Sequence, residues 1–148
     1  MLLLSKNALR FLPDSIGKLE KLQALGVNDN KLEELPASIG DLRSLGSFTL
    51  RNNRLASLPE DFGKLRHLGA LTLDGNKLTA LPETFGNLVG LNKLDVGNND
   101  LRSLPASMDK LADISKLRLT GNQLTEMPPN VQHWLSELEK DEFVELSR

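Results

Sequence analysis

The sequence predicts an α/β solenoid, in which short parallel strands line one face and short helical or 3₁₀ turns line the other. Two observations lead to this prediction. One pattern recurs at a fixed spacing along almost the whole chain, and each copy joins an alternating apolar segment to a proline-bearing segment. A fixed period of about 20 to 50 residues is typical of stacked repeat proteins. We therefore expect one continuous stack of similar coils.

The period is set by an asparagine that returns every 23 positions. Its six copies are Asn7, Asn30, Asn53, Asn76, Asn99 and Asn122. A leucine follows each copy by two positions and a proline follows it by six. The pattern divides a single domain, 1–148, into the units 1–21, 22–44, 45–67, 68–90, 91–113 and 114–136.

Each unit contains the signals for one strand and one turn. In Leu71-Thr72-Leu73 the leucines alternate with an outward residue, which is the period of a short strand. The segment "LPETFGNL" carries the proline and predicts a short helical or 3₁₀ turn on the opposite side. Because stacked strands lie closer together than the bulkier turns, we expect the strand side to be concave.

The asparagine amide suits the point where a strand turns into its loop. Backbone N–H and C=O groups enter the core there without a sheet partner, and each would cost about 1–3 kcal/mol if left unpaired. An amide both donates and accepts, so one side chain can satisfy its own loop and that of the neighbouring coil. We expect the six asparagines to form a structural ladder.

The last unit departs from the pattern. Glu137, Lys140 and Glu142 fall where the next strand would need apolar residues, so we expect the stack to stop there. Pro129 begins a segment with helical apolar spacing, and residues 130–147 are predicted to form a capping helix with Trp134 in its core.

The N-terminal unit has no capping segment before it, because Met1 already lies within the first strand pattern. Leu3 and Phe11 occupy variable positions that should face water. Two explanations stay open: an upstream segment covers this end, or the end contacts a partner or a second copy of the chain.

Composition and motifs argue against several functional classes. The chain has no cysteine, and 18 basic against 20 acidic residues give a net charge of −2. This balance does not favour nucleic acid or an anionic membrane as a partner. His67 and His133 lie at different positions of distant units, and catalytic, metal-binding and phosphate-binding motifs are absent. We expect no enzyme activity, no metal and no cofactor.

The opening "MLLL" is followed at once by Ser5, Lys6 and Asn7. An apolar segment this short predicts neither a signal peptide nor a membrane span. Together with the absence of cysteine, it predicts a soluble cytoplasmic protein.

Outward strand positions define the predicted binding surface on the concave side. Its candidate partner-binding residues are Thr49, Arg51, Thr72, Asp74, Lys93, Asp95, Lys116 and Arg118. The wall is small and neutral in the middle, and its charges lie toward the C-terminal end. Three interpretations of those charges compete: ordinary surface polarity, a docking site for a protein, or a nucleic-acid site. The carboxylate of Asp95 and the lack of stacking aromatics argue against nucleic acid.

The unit, with its "LPxx[IF]GxL" segment, resembles the leucine-rich repeat over roughly residues 1 to 136. It looks like the intracellular group that includes Ras suppressor protein and Scribble-like scaffolds, with similar repeats in plants and bacteria. The resemblance implies protein–protein interaction, often in small-GTPase signalling or at cell junctions. The cysteine-bearing caps of extracellular repeat proteins are missing.

The sequence therefore predicts a non-catalytic interaction module that binds a partner protein through its concave face, as a signalling or scaffold adaptor. The alternative is a self-associating or truncated repeat fragment of a larger regulatory protein, which pairs through its N-terminal repeat at Leu3 and Phe11.

Overall fold

The structure is a computed structural model that describes residues 1–142 and 144–148. Its strands form one parallel sheet whose order follows the chain. They are β1 (Leu2–Leu3), β2 (Ala24–Gly26), β3 (Ser47–Thr49), β4 (Ala70–Thr72), β5 (Lys93–Asp95), β6 (Lys116–Arg118) and β7 (Glu145–Ser147). This arrangement confirms the predicted α/β solenoid.

The sheet register reproduces the sequence period. Phe48 pairs with Leu71 and Leu71 pairs with Leu94, so each residue lies beside the equivalent residue of the next unit. In β3 and β4 the inward residues Phe48 and Leu71 are buried, whereas Thr49 and Thr72 are half-buried on the outer side. Alternation in a three-residue strand therefore separates the core from the concave side.

Short 3₁₀ helices run along the opposite side of the coils. They span Asp14–Lys18, Ala37–Asp41, Glu60–Lys64, Glu83–Asn87 and Ala106–Lys110. A proline precedes each one in extended backbone, as at Pro82 with φ −64° and ψ 150°. Since proline fixes φ near this value, it presets the entry into the turn. The predicted 3₁₀ turns are confirmed.

The C-terminal region differs from the prediction. Helix α1 spans Pro129–Lys140, and Glu145–Ser147 adds the strand β7 to the sheet. The helix thus ends before residue 147, and the predicted cap also includes position 143, which lies outside the described residues. Glu145 pairs with Lys116, 29 positions earlier instead of 23. The twelve-residue α1 is longer than a five-residue 3₁₀ turn, which shifts the following strand out of the period.

A residue with a left-handed backbone conformation precedes every asparagine of the repeat. The positions are Lys6, Asp29, Asn52, Gly75, Asn98 and Gly121, with φ between 50° and 77°. Glycine, asparagine and aspartate tolerate this conformation better than other residues, which explains five of the six choices. Lys6 adopts it at a cost that nothing in its surroundings explains.

The core is a single apolar layer between the strands and the turns, and it continues from Leu12 to Leu135. Three phenylalanines fill its centre. The ring of Phe62 lies 6.1 Å from that of Phe48 and 6.4 Å from that of Phe85, with interplanar angles of 17° and 1°. All three are fully buried. Trp134 packs against the same core from α1, as predicted for the cap.

The 3₁₀ helices approach one another closely at a glycine of the repeat. At Gly63 a Cβ atom would lie 2.5 Å from the carbonyl oxygen of Thr84 and 2.7 Å from its Cβ. The Thr84 hydroxyl donates to the carbonyl of Glu60 at 2.6 Å, which holds the two coils together. Glycine is therefore required here by contact between neighbouring coils.

We expect Gly63→Ala to lower the free energy of unfolding by about 1–3 kcal/mol, because the added methyl group must push Thr84 away. Gly69→Ala is the matched control, since a Cβ there would lie 3.6 Å from its nearest neighbour. That control should be neutral or slightly stabilising. Urea unfolding of both variants makes the comparison, and equal midpoints would contradict the close-packing explanation.

Candidate functional site

The asparagine side chains lie at the junction between each strand and its turn. Asn30, Asn53, Asn76 and Asn99 are buried, Asn122 is half-buried and Asn7 is exposed. In the middle of the chain, the Asn76 amide nitrogen donates to the carbonyls of Leu50 and Leu73, both at 2.9 Å. Its oxygen accepts the backbone N–H of Leu55 at 3.1 Å. One amide thus bonds two successive coils.

Each of these carbonyls also serves a second asparagine. Leu50 accepts from Asn53 as well as Asn76, and Leu73 accepts from Asn99 as well as Asn76. The hydrogen bonds therefore form a continuous chain along the stack. At the first unit, Asn7 donates only to carbonyls of its own coil. The contribution of the ladder to stability stays a prediction.

The concave face is the surface formed by the outward side chains of β1 to β7 and of the residue two positions after each of β1 to β6. The eight residues predicted from the sequence as partner-binding all lie on it. Thr49 and Thr72 are half-buried in the neutral middle, whereas Lys93 and Lys116 are exposed toward the C-terminal end. Their role in binding stays a prediction.

Asp74 differs from the expectation that it would be accessible. Its side chain is only 5% exposed, because two arginines cover it. Arg51 Nε lies 3.0 Å from one carboxylate oxygen and Arg118 Nη1 lies 3.6 Å from the other. The amide of Asn98 donates to the same group at 3.4 Å. Asp74 therefore positions its neighbours and has little surface for a partner.

Arg118 also bonds Asp95. Its Nη1 lies 3.2 Å from each oxygen of that carboxylate, which in turn accepts the Gly97 backbone N–H at 2.9 Å. Gly97 leaves the room for this arrangement, since a Cβ there would lie 2.7 Å from Nη1 of Arg118. Arg118 is consequently fixed between two carboxylates across two strands.

The two lysines of the C-terminal end are neighbours in the sheet. Lys93 on β5 is in register with Lys116 on β6. The Lys116 ammonium lies 3.0 Å from the carboxylate of Glu145 on β7. In the part of the chain that the structure describes, Lys93 forms no ion pair.

A shallow depression of about 300 Å³ opens on the concave face beside these lysines. It is lined by Ala70, Leu71, Thr72, Lys93, Leu94, Asp95, Lys116 and Arg118. The short side chain of Ala70 borders the long side chain of Lys93, its register partner, and this difference in length creates the space.

Sequence reasoning missed the contribution of β7. Glu145 lies on the concave face next to Lys116, yet it was expected in the capping helix. The available signal was the alternation Glu145-Leu146-Ser147, with the half-buried Leu146 packed against the core. Three residues outside the 23-residue period are too few to identify a strand.

Leu3 and Phe11, the candidates for end-to-end contact, are 68% and 53% exposed. They lie on different parts of the first coil. The Leu3 side chain lies over Gly26 on the concave face. Phe11 lies in the segment just before Pro13, and its ring centroid is 5.6 Å from the guanidinium carbon of Arg10. Pairing of two copies through these residues stays a prediction.

Neither a metal-binding cluster nor a membrane-spanning helix is present among the described residues. Within residues 1–142 and 144–148, no three histidine, cysteine or acidic side chains are grouped so as to hold a metal ion. None of the helices in this part of the chain has the length and apolar character needed to cross a bilayer. The arrangement offers a charged, rigid surface with side chains fixed by neighbouring strands.

A comparison with models of known protein families shows to which family the chain belongs. The model of the family described as leucine rich repeat matches residues 22–78 and 66–124, which together cover most of the sequence. The chain belongs to the leucine-rich repeat family. The 23-residue unit and its structural asparagine are thus those of a leucine-rich repeat.

Two solved leucine-rich repeat structures are similar to it. A leucine-rich repeat protein of Leptospira interrogans shares 37% identity, with a TM-score of 0.81 over 86% of this chain. The leucine-rich repeat domain of the type III effector XopL shares 27% identity, with a TM-score of 0.82 over 99% of this chain. The match spans 33% of the first structure and 50% of the second. No curated protein matches the chain.

Proposed function

We propose that this leucine-rich repeat chain is a non-catalytic module that binds another protein through its concave face. The observation that carries the proposal is the side-chain network of that face. Arg51, Asp74, Asp95 and Arg118 hold one another in place through ion pairs of 3.0 to 3.6 Å. Side chains that are already ordered lose little entropy on binding, which favours recognition of a complementary surface.

The size and shape of the face support a macromolecular ligand. The outward residues of seven strands give a long, open wall, and its depression is shallow. Small-molecule sites are usually enclosed clefts that bury most of the ligand. A wall of this kind instead suits an extended protein surface.

The resemblance of the repeat unit suggests the class of partner. The repeat unit is similar to that of Ras suppressor protein and of Scribble-like scaffolds, so we propose a cytoplasmic adaptor in signalling, with a small GTPase or another signalling protein as the partner. The proposed partner class rests on the scaffold positions of the repeat.

A bulky substitution tests which face binds. Thr72→Trp places a large ring in the middle of the concave face, and Asn87→Trp places the same ring on an exposed 3₁₀ turn of the same unit. We expect Thr72→Trp to reduce capture of the main partner protein roughly tenfold or more, since it blocks close approach of the two surfaces. Asn87→Trp should leave capture unchanged.

The measurement is affinity capture from cell extract with quantitative mass spectrometry, after circular dichroism has shown that both variants are folded. Loss of the partner with Asn87→Trp and its retention with Thr72→Trp would move the binding site to the turn side.

A further inference from the structure

We infer that the concave face takes an acidic segment of a partner polypeptide, with a carboxylate of that segment paired to Lys93. This inference rests on the proposed function and adds the chemistry of the ligand. It is carried by the charges of the C-terminal half of the face, by the space beside Lys93, and by the way the other charged groups are already paired.

Lys93 and Lys116 are register partners on adjacent parallel strands, about 4.8 Å apart. Like charges directly opposite each other in a sheet are unfavourable. Lys116 is compensated by Glu145 at 3.0 Å. Among the described residues, no carboxylate compensates Lys93, whose side chain is exposed.

The carboxylates near Lys93 are already paired with other groups. Asp95 is two residues from Lys93 on the same side of β5, but Arg118 and the Gly97 N–H occupy it. Asp74 is covered by Arg51 and Arg118. The charges of these two arginines and two aspartates cancel. The remaining positive charge of the concave face is therefore that of Lys93, since Lys116 is paired with Glu145.

Space for a ligand lies beside Lys93. Ala70 is the register partner of Lys93 on the other side, and the equivalent residues of the two preceding strands are Ser47 and Ala24. These short side chains leave the depression open beside the Lys93 side chain. A polypeptide that crosses the sheet there can pack against Ala70 and bring a carboxylate to the lysine ammonium.

A nucleic acid fits this site less well. Its phosphates would meet the carboxylate of Glu145 beside Lys116, and the described residues of the concave face offer no aromatic ring for base stacking. A carboxylate side chain needs only one compensating cation. The observations therefore favour an acidic peptide segment.

Selection from a displayed library of short random peptides tests the inference on the full chain. We expect the selected peptides to be enriched in aspartate and glutamate relative to the starting library. Lys93→Glu should remove that enrichment and weaken the selected peptides roughly tenfold, because like charges then meet across the interface. Replacing the glutamates of a selected peptide by glutamine should cause a similar loss, and the binding should weaken as salt is raised.

The matched control is Lys110→Glu, which reverses an exposed lysine on the 3₁₀ turn of the same unit and should leave the selection unchanged. Lys93→Glu should also keep the urea midpoint of the native chain, since the new carboxylate faces Lys116. A binding loss can then be attributed to the interface.

The outcomes separate the two proposals. Peptides that lack acidic enrichment but are lost with Thr72→Trp would overturn the inference and keep the concave binding face. Peptides that resist both Thr72→Trp and Lys93→Glu would overturn the proposed function itself. Binding of a single-stranded RNA oligomer through Lys93, in place of acidic peptides, would also overturn the inference.

Discussion

Asn76→Leu is expected to lower the free energy of unfolding by about 3 kcal/mol. The substitution leaves the buried N–H of Leu55 without a partner, which costs about 1–3 kcal/mol, and it removes hydrogen bonds to Leu50 and Leu73 worth about 0.5–1.5 kcal/mol each. The two carbonyls keep their bonds to Asn53 and Asn99. The loss therefore comes from the unpaired N–H of Leu55 as well as from the lost hydrogen bonds of the Asn76 amide nitrogen.

Urea unfolding measures the effect, with Asn7→Leu as the matched control. Asn7 is exposed and donates only to Leu4 and Ser5 of its own coil, so its replacement should cost less than about 1 kcal/mol. Equal losses for the two variants would show that the amide makes no special contribution where the coils are stacked on both sides.

Phe62→Ala is expected to cost about 3–5 kcal/mol, which is typical of a fully buried phenylalanine. The ring lies between Phe48 and Phe85, at 6.1 and 6.4 Å, and fills the centre of the core. Truncation leaves a cavity between two successive coils, because Phe48 of the same coil and Phe85 of the next coil lose their shared partner. Denaturant unfolding should show the loss as a clear fall in the midpoint.

Two further variants serve as comparisons for Phe62→Ala. Phe11→Ala removes a ring that is 53% exposed and should cost far less. Phe62→Ile introduces the side chain that Ile16 and Ile39 provide at the same position of other coils, and it should recover much of the loss. If Phe62→Ala were no more harmful than Phe11→Ala, the stacked rings would not be a source of stability.

The architecture was predictable because the same local signals recur six times. A single Leu71-Thr72-Leu73 segment is compatible with many folds, but its recurrence in register requires that each copy have the same environment. The proline before each 3₁₀ turn and the asparagine at each junction follow from that environment. These features depend on one coil and its neighbours, which the period identifies directly.

The C-terminal end was less predictable because its spacing changes. Helix α1 uses more residues than a 3₁₀ turn, so Glu145 and Ser147 reach the sheet out of step with the 23-residue period. A strand of three residues has too short an alternation to be recognised alone. Packing between the long helix and the core, which the sequence period does not describe, decides where the strand begins.

The position of the concave face was predictable, but the pairing of its charged side chains was not. The register identified Asp74 as an outward residue, yet its burial depends on side chains that reach across strands. Arg118 extends over the place of Gly97 to contact both Asp95 and Asp74. Such contacts are set by side-chain length and by the absence of a side chain at Gly97, so they require coordinates.

Carbonyls shared between neighbouring asparagines have a consequence for how such chains grow. Each junction needs only an amide from the following coil at a fixed offset, as Leu73 needs Asn99. Duplication of one whole unit supplies a new carbonyl and a new amide together, so the hydrogen bond between successive coils can form again. Gene segments that encode a full period therefore carry this hydrogen bond with them, whereas the longer segment that leads to β7 pairs with β6 through the strand alone.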